Sequence, residues 1–468
     1  MMFAESIPTI PHVRGFALGQ LLEFRRNIPA WQMKLMNEYG DICGAKLGIF
    51  PCVFLSSPEL AQAVLVDNAH HFMKSRGLRS LKPLLGEGLL TSEHEFHRRQ
   101  RKLISPGFHN RRIGTYAGAM ASYTEAAQAR WKEGELIDAS AAMMRLTLAI
   151  AGKTMFNADL EKDASEVGEA VTIANRNAID QISSIFPFRV PWPTVRNRQS
   201  EKALARLDQI VYGMIADRRA SGDDPGDVLS MLMAAEEEGS GNKMTDTEVR
   251  DETMTLFLAG HETTANALAW ALHLLSRHPE VYARLRGEVD GVLAGRAPTL
   301  EDMPRLPYAL QVFKETMRLY PPAYIIGRMA MRQVALGQHT LPEGMTVFIN
   351  IYGMHRRAKY FPNPERFDPD RFRPEAEKDM VRSSYLPFGG GPRVCIGNQF
   401  ALLEGQIVLA ALAQRVTFEA ASTREIQTEP LITLRPKGGV PLLVRRRAAV
   451  RSEPLHPGTW RSAPPGQA

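Results

Sequence analysis

The stretch 386–400, LPFGGGPRVCIGNQF, sets one cysteine, Cys395, among four glycines and two prolines. A thiolate is the reactive and metal-ligating form of cysteine, and a free thiol near neutral pH is mostly protonated. A metal at the sulfur, or N–H groups aimed at it, would favour the thiolate. Glycines let a backbone turn its N–H groups inward. The apolar, helix-like run that follows would add the positive end of its dipole. The plainer reading is a glycine-rich turn around a buried cysteine.

Three other clusters carry chemistry. LFLAGHETTAN, 256–266, puts an acid and an alcohol, Glu262 and Thr263, into an otherwise apolar helical pattern, beside Gly260, which is costly in a helix. KETMR, 314–318, puts Glu315 and Arg318 on one helical face. Such a pair is ordinarily a solvated ion pair. HRRQRKL, 97–103, spaces His97 and Arg101 so that one face offers both to a carboxylate. By itself it reads as a solvated basic helix.

The elements that must position these groups are mostly helical. Residues 30–40 read as a helix ending at a glycine, and a β-like segment follows to about 57. Helical pattern dominates from about 58 to 300, with loops at 76–92, 186–199 and 218–245. Thr245 and Glu248 have capping-box form, opening a helix that continues to about Arg277, with Pro279 as its stop. About thirty residues span roughly 45 Å, enough to cross one large domain. Strand signals return at 325–353, and 430–446 reads as a hairpin turning at Gly438-Gly439. The fold class is mainly α with minor β: one domain over 1–447 and a basic, disordered tail at 448–468.

Bulk composition excludes several classes. The net charge is +6, but residues 445–468 hold five Arg and one Glu, leaving +2 for residues 1–444. That pattern argues against nucleic-acid binding. Three scattered cysteines suggest neither a disulfide framework nor a zinc site. No run of eighteen apolar residues offers a membrane span. A cytoplasmic monomer is expected.

FGGGPRVCIG resembles the haem-binding loop of the cytochrome P-450 family, F-x-x-G-x-R-x-C-x-G. Phe388, Gly391, Arg393, Cys395 and Gly397 fill its fixed positions. The resemblance implies haem b with Cys395 as the axial thiolate, which donates electron density to iron and favours O–O cleavage. Phe388 would pack near the sulfur and Arg393 would pair with a propionate. KETMR and PERF, 364–367, resemble the family's E-x-x-R and P-E-R-F motifs, implying a buried Glu315–Arg318–Arg366 network that fixes the loop before the cysteine. AGHETT resembles the segment over the haem. Ala259 and Gly260 would make room for dioxygen, Thr263 would bond the bound oxygen or a water, and Glu262 would relay protons. HRRQR resembles the propionate-binding helix, with His97 and Arg101 in its roles and Arg328 as a further propionate candidate. The resemblance runs from about 8 to about 447.

It implies a monooxygenase that inserts one atom of O2 into a lipophilic molecule: a fatty acid, terpenoid, steroid or polyketide. The pocket would draw on 76–92, on Phe257, Leu258 and Ala259, on Ala323, Tyr324, Ile325 and Ile326, and on Leu431, Ile432 and Thr433. With no flavin, dinucleotide or iron–sulfur signature, electrons would come from a ferredoxin or flavodoxin and its NAD(P)H-dependent reductase. Arg98, Arg99, Lys102, Arg111 and Arg112 are candidates for the docking patch. The alternatives are a peroxide-driven peroxygenase or a non-catalytic haem sensor.

Overall fold

One uninterrupted helix, Asp246–Arg277, is the axis of the computed structural model, which describes residues 9–160, 164–182, 195–236, 241 and 243–447. The tail 448–468 lies outside the described residues, as does 186–194 of the expected loop. The remainder of that loop instead opens the helix Val195–Ser221, and a short helix, Val228–Ala234, interrupts the polar stretch after it. The capping box forms as the sequence predicts. Thr245 Oγ1 accepts the Glu248 N–H at 3.2 Å, and Glu248 accepts the Thr245 N–H at 2.7 Å. Pro279 opens the next helix. From Val249 to Leu275 the side chains are buried almost all round, which places this helix inside the core rather than on it. Helix Ala139–Phe156 packs along it, and Trp270 stacks on Tyr320 at 3.8 Å between ring centroids.

A five-stranded sheet flanks the helices in the order Ile42–Leu47, Phe50–Leu55, Thr346–Ile349, Ile326–Ala330, Phe72–Lys74. Its first two strands are the expected hairpin, with Cys43 and Cys52 buried as small apolar residues. Its far edge pairs Lys74 directly with Arg328. The C-terminal hairpin differs from expectation. Strand Leu434–Pro436 pairs with Thr428–Pro430, while Pro441–Arg446 pairs with Val416–Ala420 and Leu136–Asp138. Gly438 and Gly439 both have positive φ and carry the chain from one sheet to another.

The helix Asn398–Arg415 starts three residues after Cys395. It lies close against helix Pro307–Leu319, because a Cβ at Gly405 would stand 2.4 Å from the Phe313 ring. The second helix carries Glu315 and Arg318, both 0% exposed. Arg318 Nε and Nη2 donate to the Glu315 carboxylate at 2.7 and 2.8 Å. Nη1 donates to the carbonyls of His355 and Pro364 at 2.8 and 2.7 Å, and Nη2 also to that of Arg366 at 3.1 Å. All five guanidinium donors are thereby satisfied. Glu315 further accepts the Asp368 N–H at 2.9 Å. The expected third member is corrected: the Arg366 side chain is exposed and only its carbonyl takes part. Arg371 supplies the second cation, 3.4 Å from Glu315.

His355 passes this rigidity to the cysteine loop. Its Nε2 accepts the Leu386 N–H at 2.9 Å, and two residues on, the Phe388 carbonyl accepts the Cys395 N–H at 2.9 Å. Gly391 closes the loop against the segment Ala63–Asp67, where a Cβ would stand 1.8 Å from the Leu65 carbonyl oxygen. Burial, with Arg318 and Arg356 nearby, pushes the His355 imidazole down to about 3, so it remains a neutral acceptor.

Two outcomes are expected. Glu315→Ala strands the Arg318 charge in the core at a cost of about 3–5 kcal/mol; soluble yield and haem absorbance should both collapse, and a soluble, haem-loaded variant would contradict this role. For His355, the unfolded chain takes up a proton near pH 6.5 and the folded chain only near 3. Stability is therefore lost as pH falls below that upper value, by about 2 kcal/mol at about pH 5. Thermal unfolding of His355→Gln should show a correspondingly shallower acid limb.

Candidate functional site

A cavity of about 1400 Å³ lies between the central helix, the cysteine loop and the sheet. Small-molecule sites are commonly about 300–1,000 Å³, so this one has room for a macrocycle and a substrate together. Cys395, Phe388, Arg393 and Gly397 border it from the loop, and Ala259, Gly260, Glu262 and Thr263 border it from the helix. Burial raises the Cys395 thiol above its ordinary range, opposed by the Gly397 N–H and Arg101. A cation at the sulfur is what would reverse that balance.

One rim of the cavity is strongly cationic. His97 and Arg101, from helix His94–Ile104, stand with Arg328, Arg393 and Lys74. Lys74 was not legible in the sequence; it joins because its strand pairs it with Arg328. Burial, then Arg328 and Arg393, holds the Lys74 amine well below its usual range. Burial likewise lowers Arg328 to about 10 and His97 to about 3. Among the described residues, Glu93 is the carboxylate ion-paired within this group, through Arg393. Its Oε1 also accepts the Lys74 N–H at 2.6 Å. Arg101 Nη1 donates to the Val394 carbonyl at 2.8 Å, and Arg393 Nη1 to that of Ser92 at 2.8 Å. So many desolvated cations with one carboxylate call for further anions. The two propionates of a haem fit that demand, and Cys395 on the same cavity fits its iron.

On the central helix Thr263 Oγ1 donates back to the Ala259 carbonyl at 2.9 Å. Glu262 is tied into a network that sequence reasoning missed. It accepts from Arg435 Nε and Nη2 at 3.0 and 2.8 Å and from the Thr433 hydroxyl. Arg435 Nη1 reaches the Thr172 hydroxyl at 3.0 Å. No local pattern links 262 to 435; the strand Leu434–Pro436 brings them together.

The pocket expectations divide. Leu258, Ala323, Tyr324, Ile325, Ile326, Leu431, Ile432 and Thr433 border the cavity, and Tyr324 Oη donates to the Leu431 carbonyl at 2.8 Å. Phe257 is corrected. It is fully buried against Phe156 and His261, because it lies about 200° around the helix from Ala259. Gly260 borders the cavity, and a Cβ there would stand 3.1 Å from Met155 Cε, which is also on the cavity wall. Of the basic residues at 98–112, Arg98 pairs with Glu95, Arg99 pairs with Glu248 at 2.6 Å, and Arg112 lies over the Tyr116 ring, while Lys102 and Arg111 are exposed.

No helix among the described residues is long and apolar enough to cross a membrane. The chain matches the family model Cytochrome P-450 over residues 8–442. It is 41% identical to cyclooctatin synthase of Streptomyces melanosporofaciens over 88% of this chain and 89% of that protein. It is 36% identical to cyclooctat-9-en-7-ol 5-monooxygenase of the same organism, over 87% and 90%. It is 31% identical to pentalenene oxygenase of Streptomyces avermitilis, over 92% and 95%. With a match of that extent added to the thiol and the cationic rim on one cavity, the chain belongs to the cytochrome P-450 family of haem-thiolate monooxygenases.

Proposed function

We propose that this enzyme hydroxylates a polycyclic terpenoid, with Cys395 as the thiolate on iron. The observation that carries the reading is one large, mainly apolar cavity bordered by Cys395 on one side and Thr263 on the other. The relatives named for cyclooctat-9-en-7-ol and pentalenene favour a terpenoid over a fatty acid, steroid or polyketide.

When bound, haem supplies dioxygen activation. Lys74, Arg101, Arg328 and Arg393, with neutral His97, would hold its propionates. Ala259 keeps the helix wall low beside the reacting centre. Thr263 Oγ1, now donating to the Ala259 carbonyl, would be free to turn and hold a proton on the cavity side. Glu262 would relay protons, taking each from solvent water once its carboxylate swings from Arg435 and Thr433 and passing it on to Thr263. Leu89, Leu256, Leu258, Ile325, Ile326 and Ile432 exclude water and orient the hydrocarbon. A ferredoxin or flavodoxin delivers the electrons, with Arg98, Lys102 and Arg111 among the exposed cations that would meet it.

The reduced protein with carbon monoxide should show a strongly red-shifted Soret band that Cys395→Ser abolishes; an unshifted band in the wild type would overturn thiolate ligation. Cyclooctat-9-en-7-ol and pentalenene should each be tried for a spin-state shift and, with NAD(P)H and partners or with peroxide, for turnover. Failure of both terpenoids beside a shift with a fatty acid would overturn the substrate class. Thr263→Ala should keep haem and substrate binding but release more peroxide and less product per NAD(P)H. Unaltered coupling would remove Thr263 from the proton path.

A further inference from the structure

Part of the cavity wall hangs from the central helix by two carboxylates. Asp251 Oδ2 accepts the Glu87 N–H at 2.8 Å, and Glu252 Oε2 accepts the Leu89 N–H at 2.9 Å. Glu252 is 0% exposed, and its other oxygen has no hydrogen-bond partner among the described residues. The contact is close because two glycines allow it. A Cβ at Gly86 would stand 2.0 Å from the Asp251 carboxyl, and one at Gly88 would stand 2.1 Å from Thr255 Oγ1 and 2.6 Å from the Asp251 carbonyl oxygen. Leu85, Leu89 and Leu90 of this segment border the cavity. Its far end is fastened to the cysteine loop, where Arg393 holds the Ser92 carbonyl and Glu93.

The anchor also lies in register with the reaction site. Asp251, Thr255, Ala259 and Thr263 recur every four residues, so they follow one slowly turning stripe of the helix. Glu252 is about 16 Å from Thr263 along the axis.

We propose that Asp251 and Glu252 are positioning residues that clamp residues 86–91 onto the central helix and so set the size of the ligand space over the haem. The inference rests on the haem-monooxygenase reading and adds to it the part of the chain that determines how large a ligand is held.

The charges around the clamp support a neutral Glu252. Asp251 Oδ1 accepts from Arg250 Nη1 at 2.9 Å, and Arg250 also pairs with Asp208. Glu248 pairs with Arg99, and Lys82 with Glu87. No cation pairs with Glu252 among the described residues. Burial raises its carboxyl to about 8, and Asp251 and Glu248 add to that rise against the Leu89 N–H. A raised folded value means that the clamp is strongest below the unfolded value of 4.5 and is lost as pH rises through about 8.

The test uses the haem-loaded protein, hydrogen exchange of residues 81–93, and optical titration with imidazole and the bulkier 4-phenylimidazole. In Glu252→Leu and Asp251→Ala, exchange at 86–91 should accelerate and 4-phenylimidazole should bind about fivefold more weakly, the worth of one hydrogen bond, with imidazole unchanged. Glu252→Gln keeps an acceptor oxygen and should restore both. In the wild type, going from about pH 7 to about pH 9 should speed exchange at 86–91 relative to Glu252→Gln at the same pH. Unchanged exchange in Glu252→Leu, or equal weakening of both azoles, would overturn the clamp. If that variant does not fold, unchanged exchange at 86–91 in Asp251→Ala overturns it. Azoles that leave the spectrum unmoved would refute the haem reading instead, while the exchange result still decides the clamp.

Discussion

The buried pair between Glu315 and Arg318 is the constraint on which the site depends. Removing both charges from water carries a penalty of several kcal/mol per ion, offset only when geometry and further hydrogen bonds are complete. Here they are complete, because Arg318 spends its remaining donors on three main-chain carbonyls at 355, 364 and 366. A stretch with little regular structure is thus gathered around one guanidinium. Its end, through the His355 ring and the Leu386 N–H, is where the cysteine loop begins. Gly391 and Gly405 then let that loop and its helix approach their neighbours more closely than any side chain would permit.

The rest of the site is an exercise in charge placement. Cations crowd one rim of the cavity beside a neutral His97, and burial has already lowered Lys74 and Arg328. Such a rim is costly without anions and favourable with them, so its energetics couple folding to a dianionic cofactor. On the helix opposite, Glu262 is held by Arg435 and Thr433. The substrate wall between them is apolar, and its 86–91 segment joins the two sides, fastened to the helix by Asp251 and Glu252 and to the cysteine loop by Arg393.

Local chemistry was legible in the sequence. Cys395, Glu315, Arg318 and Thr263 each sit in short motifs whose spacing reflects one loop or one helical turn. The capping box at Thr245 and the stop at Pro279 mark the central helix because caps and prolines act through neighbouring backbone. The errors share a cause. Phe257 is placed at the cavity by its position in a motif, but a helix turns about 100° per residue, and packing against Phe156 and His261 turns it away. Arg366 carries the motif's arginine, yet the buried network takes its carbonyl and the side chain of Arg371.

What the sequence alone determined is the set of groups that act within a few residues of one another: the ligating loop, the ion-pair helix, the acid–alcohol turn and hence the family. Only the tertiary structure decided the long-range partners. Lys74 meets Arg328 through a strand register, Glu262 meets Arg435 across 173 positions, and Glu252 meets Leu89 across 163. The physical reason is that hydrogen bonds and ion pairs need partners within a few ångströms, and sequence separation carries no information about that distance once the chain has packed.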